Sequence, residues 1–165
     1  MRPVQLTING EPRAIEVAET ALLLEVLREQ CGLFSVREGC GVGQCGTCTV
    51  LLDGRPVSSC LLLAALQDGR SVETLEGLGR PELGELDPIQ AVFLEHEAFQ
   101  CGYCTPGFIL SVKALLAERP DPTPEEAREY LAGNLCRCGA YPEILKATAA
   151  ASARLRGVQG SECAL

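Results

Sequence analysis

The apolar positions of this 165-residue chain change their period along its length. Residues 4–8 (Val-Gln-Leu-Thr-Ile) alternate apolar and polar, which predicts a strand with one buried face. Asn9-Gly10 follows, a pair suited to positive φ at both positions of a two-residue hairpin turn, and Ile15 and Val17 resume the alternation. Over residues 20–30 the period becomes helical: Leu23, Val26 and Leu27 share a face, with Thr20 placed as N-cap. A second hairpin is expected from Thr47–Leu52, turning at Asp53-Gly54, with a return strand that ends at Cys60. A short strand over Ser71–Leu75 completes a sheet-plus-helix unit spanning residues 1–76. Residues 77–86 hold three glycines and a proline without periodicity and read as a linker.

Beyond the linker the pattern is helical throughout. Asp87-Pro88 opens a first helix that continues to Phe99, and Thr105-Pro106 opens a second in the same way. The second carries an apolar stripe of Phe108, Ile109, Val112, Leu115 and Leu116 and ends at Arg119-Pro120. Thr123-Pro124-Glu125-Glu126 is a capping box for a third helix that stops at Gly133. Pro142 starts a fourth, which runs to near Arg156. The expectation is an α+β chain whose residues 87–156 form a four-helix bundle, with 157–165 as a loose tail.

Ten cysteines dominate the candidate chemistry. Cys40, Cys45 and Cys48 follow the spacing C-x4-C-x2-C, and Cys60 follows after eleven intervening residues. This is the ligand run of a plant-type [2Fe–2S] cluster. Gly39, Gly41, Gly43 and Gly46 lie in the same loop, where backbone free of Cβ can approach inorganic sulfide and turn its N–H groups toward an anion. The helical half carries Cys101-x-x-Cys104 and Cys136-x-Cys138, each pair just upstream of a helix start. On spacing alone, iron–sulfur and four-Cys zinc compete evenly for this second set. A redox C-x-x-C disulfide is a third option, though no thioredoxin-like βαβ pattern surrounds it.

The single histidine, His96, excludes a Rieske centre and two-His zinc, and in its Glu-His-Glu context it reads as a solvated surface residue. Cys31 reads as a small buried hydrophobe, and Cys163 has no spacing partner. A net charge of −8 argues against nucleic acid as a partner. The apolar run Ala21–Leu24 is broken by Glu25 and is far too short to span a bilayer. The first residues show neither an apolar secretory stretch nor a twin arginine, so reduced thiols in a cytoplasmic protein are expected. No nucleophile–base pair, phosphate loop or paired catalytic carboxylates are found, so no substrate conversion is expected in this chain.

Taken together, Gly39-Cys40-Gly41-x-Gly43-x-Cys45-Gly46-x-Cys48, then Cys60, Gln100-Cys101-Gly102-Tyr103-Cys104-Thr105-Pro106-Gly107 and Gly133-Asn134-Leu135-Cys136-Arg137-Cys138 carry a resemblance. The chain resembles, over about residues 3–155, the small iron–sulfur subunit of the xanthine dehydrogenase family of molybdenum hydroxylases. The resemblance implies a ferredoxin-like (β-grasp) domain holding one [2Fe–2S] cluster on Cys40, Cys45, Cys48 and Cys60. It implies a four-helix bundle holding another on Cys101, Cys104, Cys136 and Cys138. It further implies a large partner subunit whose molybdopterin is approached by Gln100 and Cys138, and a FAD-binding subunit facing the first cluster where the family has one. The implied function is single-electron relay from molybdenum to FAD or an external acceptor; a free-standing ferredoxin-like carrier is the alternative. One departure stands out: where the family often reads Thr-Gly-Tyr after the last cysteine, this chain has Gly139-Ala140-Tyr141.

Overall fold

The computed structural model describes residues 1–80 and 83–157. Five strands make one mixed sheet: β1 (Arg2–Ile8), β2 (Glu11–Val17), β3 (Thr49–Leu52), β4 (Arg55–Ser58) and β5 (Ser71–Glu73), in the order β2-β1-β5-β3-β4. Both hairpins turn where expected. Asn9 and Gly10 have φ of 51° and 85°, and Asp53 and Gly54 have 48° and 79°, the left-handed pairs that match strand twist. β1 and β5 run parallel at the centre, which requires a long crossover between them. That crossover contains α1, the cysteine loop and the second hairpin.

The first helix differs from expectation. α1 (Leu23–Glu25) runs directly into a wide turn, Val26–Gln30, and Thr20 does not cap it. Leu23 N–H donates to Leu62 O (2.7 Å) and Ala64 N–H to Ala21 O (2.9 Å), so residues 21–23 are held extended against 62–64. The helix can begin only beyond that bridge, where the Glu25 carboxylate accepts the Leu22 N–H (2.9 Å). The second hairpin is also shorter than expected: its return strand stops at Ser58, and Cys60 sits in a tight turn over Ser59–Leu61. β5 likewise ends at Glu73, short of Leu75.

Four helices follow: α2 (Pro88–Glu95), α3 (Thr105–Glu118), α4 (Pro124–Tyr130) and α5 (Tyr141–Leu155). Asp87 caps α2 through Ile89 N–H (2.8 Å), but the helix ends before Phe99, because Glu97 turns left-handed (φ 49°) and Ala98 N–H closes back on Phe93 O. The capping box of α4 is present in both directions, Glu126 N–H to Thr123 Oγ1 (3.2 Å) and Thr123 N–H to Glu126 Oε2 (2.8 Å). Thr105 is the first residue of α3 and Cys104 its cap, so the hydroxyl expected at the cap lies one position inside.

Two cores result. Val4, Leu6, Ile8, Leu23, Leu27, Val50, Leu52 and Val72 fill the sheet domain; Phe93, Phe108, Leu110, Val112, Ile144 and Ala147 fill the helical one. Every residue of β3 is buried, and its alternation divides between the two: Val50 and Leu52 face the first core while Leu51 joins the second. Lys113 of α3 adds an ion pair to Glu73 of β5 (2.6 Å), so the domains are fastened along this line. Leu78, within the expected linker, is buried in the helical core. Cys31 is half-buried against the first core rather than fully buried, and His96 is exposed. Cys163 and most of the expected tail lie outside the described residues. Among the described residues, no helix is long and apolar enough to cross a membrane.

Candidate metal centres

The first cysteine loop joins α1 to β3, and its shape follows from its glycines. Gly41, Gly43 and Gly46 have φ of 67°, 73° and 65°, whereas Gly39 is not left-handed and matters for space: a Cβ there would stand 2.9 Å from Cys45 Sγ. A Cβ on Gly43 would come within 2.3 Å of Leu61 Cδ1, so the Leu61 side chain beside Cys60 would have to move. With that backbone, the N–H groups of Val42 and Gln44 point at Cys40 Sγ (3.4 and 3.3 Å). These bonds, with the Cys45 thiol beside it, lower the Cys40 thiol to about 7. Cys60 is buried and paired with the Cys48 thiol, which together push it up to about 11.

The second set repeats the arrangement. Cys101 is exposed and lowered by the Tyr103 N–H, by the Cys138 thiol and by the charge of Arg37. Burial and the neighbouring Cys136 thiol push Cys104 up to about 12. Ala140 N–H reaches Cys136 Sγ (3.4 Å), and the Cys136 N–H donates to Tyr141 Oη (2.9 Å), whose ring stacks edge-on against Phe108 at 6.4 Å. The altered Gly139-Ala140-Tyr141 segment therefore still supports the cysteine loop. Gln100 donates through Nε2 to Cys138 O (3.2 Å), so the structure brings these two expected residues together.

The described cysteines are all free of disulfides. Within each set the thiols meet two by two, Cys40 with Cys45 and Cys48 with Cys60, Cys101 with Cys138 and Cys104 with Cys136. Four thiols in each set match the ligand demand of a binuclear iron cluster. Each set also contains one thiol raised by burial and by its neighbours, and a bound cationic centre removes that obstacle because a coordinated thiol is deprotonated outright. The donor sets thus fit [2Fe–2S] clusters.

The two loops touch directly. Leu135 N–H, one residue before Cys136, donates to the carbonyl of Cys45 (2.9 Å). Asn134, buried, donates through Nδ2 to Gly46 O (3.0 Å) and accepts from Ser111 Oγ of α3 (2.9 Å). Gly107 allows this approach: a Cβ there would lie 2.3 Å from Gly46 O. On the other side Arg37 donates to the carbonyls of Gly102 (2.6 Å) and Tyr103 (3.1 Å) and stacks over the Tyr103 ring at 5.4 Å, while Tyr103 Oη donates to Glu38 O (2.7 Å). Sequence reasoning assigned no role to Arg37, Asn134 or Tyr141. Only the proximity of Asn134 and Tyr141 to Cys136–Cys138 hinted at them, and Arg37 carried no signal at all.

The fold and these two thiol-lined loops define a protein with two iron–sulfur domains. The comparisons agree: residues 6–75 match the 2Fe-2S iron-sulfur cluster binding domain family, and residues 74–149 match the [2Fe-2S] binding domain family. The even contest between zinc and iron–sulfur for the second set is thereby resolved at the level of the domain. The chain is 49% identical over 144 residues to the nicotinate dehydrogenase small FeS subunit of Eubacterium barkeri, covering 86% of this chain and 88% of that one. It is 47% identical over 144 residues to the xanthine dehydrogenase iron-sulfur-binding subunit of Escherichia coli O157:H7, covering 86% and 89%. The crystal structure of the aldehyde oxidoreductase from Desulfovibrio desulfuricans superposes with a TM-score of 0.91 at 44% identity over 96% of this chain. This chain spans only 18% of that longer polypeptide. The chain belongs to the iron–sulfur subunits of the xanthine dehydrogenase family of molybdenum hydroxylases. Such subunits are electron-transfer components of oxidoreductases.

Proposed function

We propose that this chain is the electron-relay subunit of a molybdenum hydroxylase, taking single electrons from a molybdopterin site in a large partner subunit to FAD or an external acceptor. In this reading Cys40, Cys45, Cys48 and Cys60 hold one [2Fe–2S] cluster in a β-grasp domain, residues 1–76. Cys101, Cys104, Cys136 and Cys138 hold the other in a four-helix bundle, residues 87–156, joined through 77–86. Each cluster, when bound, supplies a reversible one-electron carrier whose potential responds to hydrogen bonds, charge and exposure. The chain's own residues do the remaining work. The N–H groups of Val42 and Gln44 favour the anionic form of Cys40, and the Ala140 N–H does the same for Cys136. Arg37, Tyr103 and Asn134 hold the two loops at a fixed separation. Gln100 and Cys138 stand together where the molybdopterin subunit would dock, and a medium FAD-binding subunit would face the first loop.

The observation that carries this reading is the Leu135–Cys45 hydrogen bond, because it joins the backbones of the two donor loops and not merely two domains. Exposed apolar side chains flank both loops (Val42 and Leu61 at the first, Tyr103 and Leu135 at the second) and suit partner surfaces better than a freely shuttling carrier. The free thiols suit a cytoplasmic site. Purification of the tagged chain from its native cells is the test. Recovery with a larger molybdenum-containing subunit supports the relay; recovery alone, fully loaded with iron, would support the free-standing carrier instead.

A further inference from the structure

Several buried side-chain hydroxyls in this fold have clear acceptors. Thr49, Ser59, Ser111, Thr148 and Ser152 each donate to a carbonyl or amide oxygen at 2.7–2.9 Å. Thr105 is the exception: its Oγ1 is the one buried side-chain polar atom among the described residues without a partner. An unpaired buried hydroxyl is destabilising, so its persistence needs a reason. Its position supplies one. Thr105 directly follows Cys104 and opens α3, whose cap is Cys104 itself, and the thiol of Cys104 neighbours that of Cys136.

We propose that Thr105 is a positioning residue whose Oγ1–H donates to a sulfur atom of the cluster held by Cys101, Cys104, Cys136 and Cys138, an inference that rests on that ligand assignment. The acceptor missing from the polypeptide is then part of the centre the loop is built to hold. A hydrogen bond to sulfur draws off negative charge and favours the reduced state, so Thr105 raises the potential of the second cluster while leaving the first untouched.

The experiment compares the loaded chain with T105V, which keeps the shape and removes the donor, and T105S, which keeps the donor. Metal content is measured first: zinc or no metal on the second set of the unsubstituted chain would overturn the ligand assignment itself. With both clusters present, EPR-monitored redox titration is expected to show a lower midpoint for one cluster in T105V. T105S should restore it, and the other midpoint should stay constant in all three proteins. Unchanged midpoints in fully loaded T105V would overturn the proposal. Should T105V fail to retain the second cluster, a crystal structure of the loaded unsubstituted chain decides. Oγ1 in hydrogen-bond contact with a cluster sulfur supports the proposal, and Oγ1 bonded to an internal water or a carbonyl refutes it.

Discussion

Replacing Asn134 with alanine tests whether the two cysteine loops are joined as one unit. The amide is buried, giving Nδ2–H to Gly46 O (3.0 Å) and, at the limit of a hydrogen bond, to Thr49 Oγ1 (3.5 Å), and accepting Ser111 Oγ–H (2.9 Å). The two ends do not suffer equally. Gly46 O keeps the Thr49 hydroxyl at 2.7 Å, so only the net value of one bond is lost there. Ser111 is 3% exposed and would be left without its acceptor. A lost net bond together with an orphaned buried hydroxyl costs about 2–4 kcal/mol. For a chain of this size that lowers the melting temperature by roughly 5–15 °C. The assay is unfolding of the loaded chain for wild type, N134A, S111A and the double variant. Because S111A removes the group that N134A orphans, the double variant should cost about 1 kcal/mol or more less than the sum of the singles. Additive singles, or an N134A change within about 0.5 kcal/mol of wild type, would refute the reasoning.

Two other outcomes follow from the same geometry. Cys60→Ala should abolish one of two EPR signals and destabilise the sheet domain, since ligation contributes folding free energy; simultaneous loss of both signals would contradict separate thiol sets. Glu76 links the loop before the cysteines to β5's end: burial pushes its carboxyl up, but the Ser35 hydroxyl and N–H and the Thr74 hydroxyl outweigh this and hold it below the ordinary glutamate value. Its folded pKa being depressed, its stabilisation is full above the unfolded glutamate value of about 4.3 and is lost as pH falls through the lower folded value. Wild type should therefore exceed E76Q in denaturant midpoint at neutral pH, with the gap closing in acid; a gap independent of pH would exclude this role.

The parts of this molecule legible in sequence were those governed by local rules. Asn9-Gly10 and Asp53-Gly54 turn as their φ preferences dictate, and Thr123 and Glu126 cap α4 because the box needs only three residues of chain. Thr20 failed as a cap because a remote strand-like bridge, residues 21–23 against 62–64, overrode local propensity. The thiol sets were visible because metal ligation imposes fixed spacing on a single residue type. Arg37 and Asn134 were not, because each acts on backbone carbonyls more than sixty residues away, and carbonyls carry no sequence identity. Leu51 was read as ordinary strand, yet it is the residue through which β3 serves the helical core.

The most direct measurement is the iron and acid-labile sulfide content of the chain isolated without air, paired with EPR after reduction. Two thiol sets that each hold a binuclear cluster require about four irons per chain and two distinguishable signals. About two irons with a single signal, or zinc in place of iron on Cys101, Cys104, Cys136 and Cys138, would contradict the account.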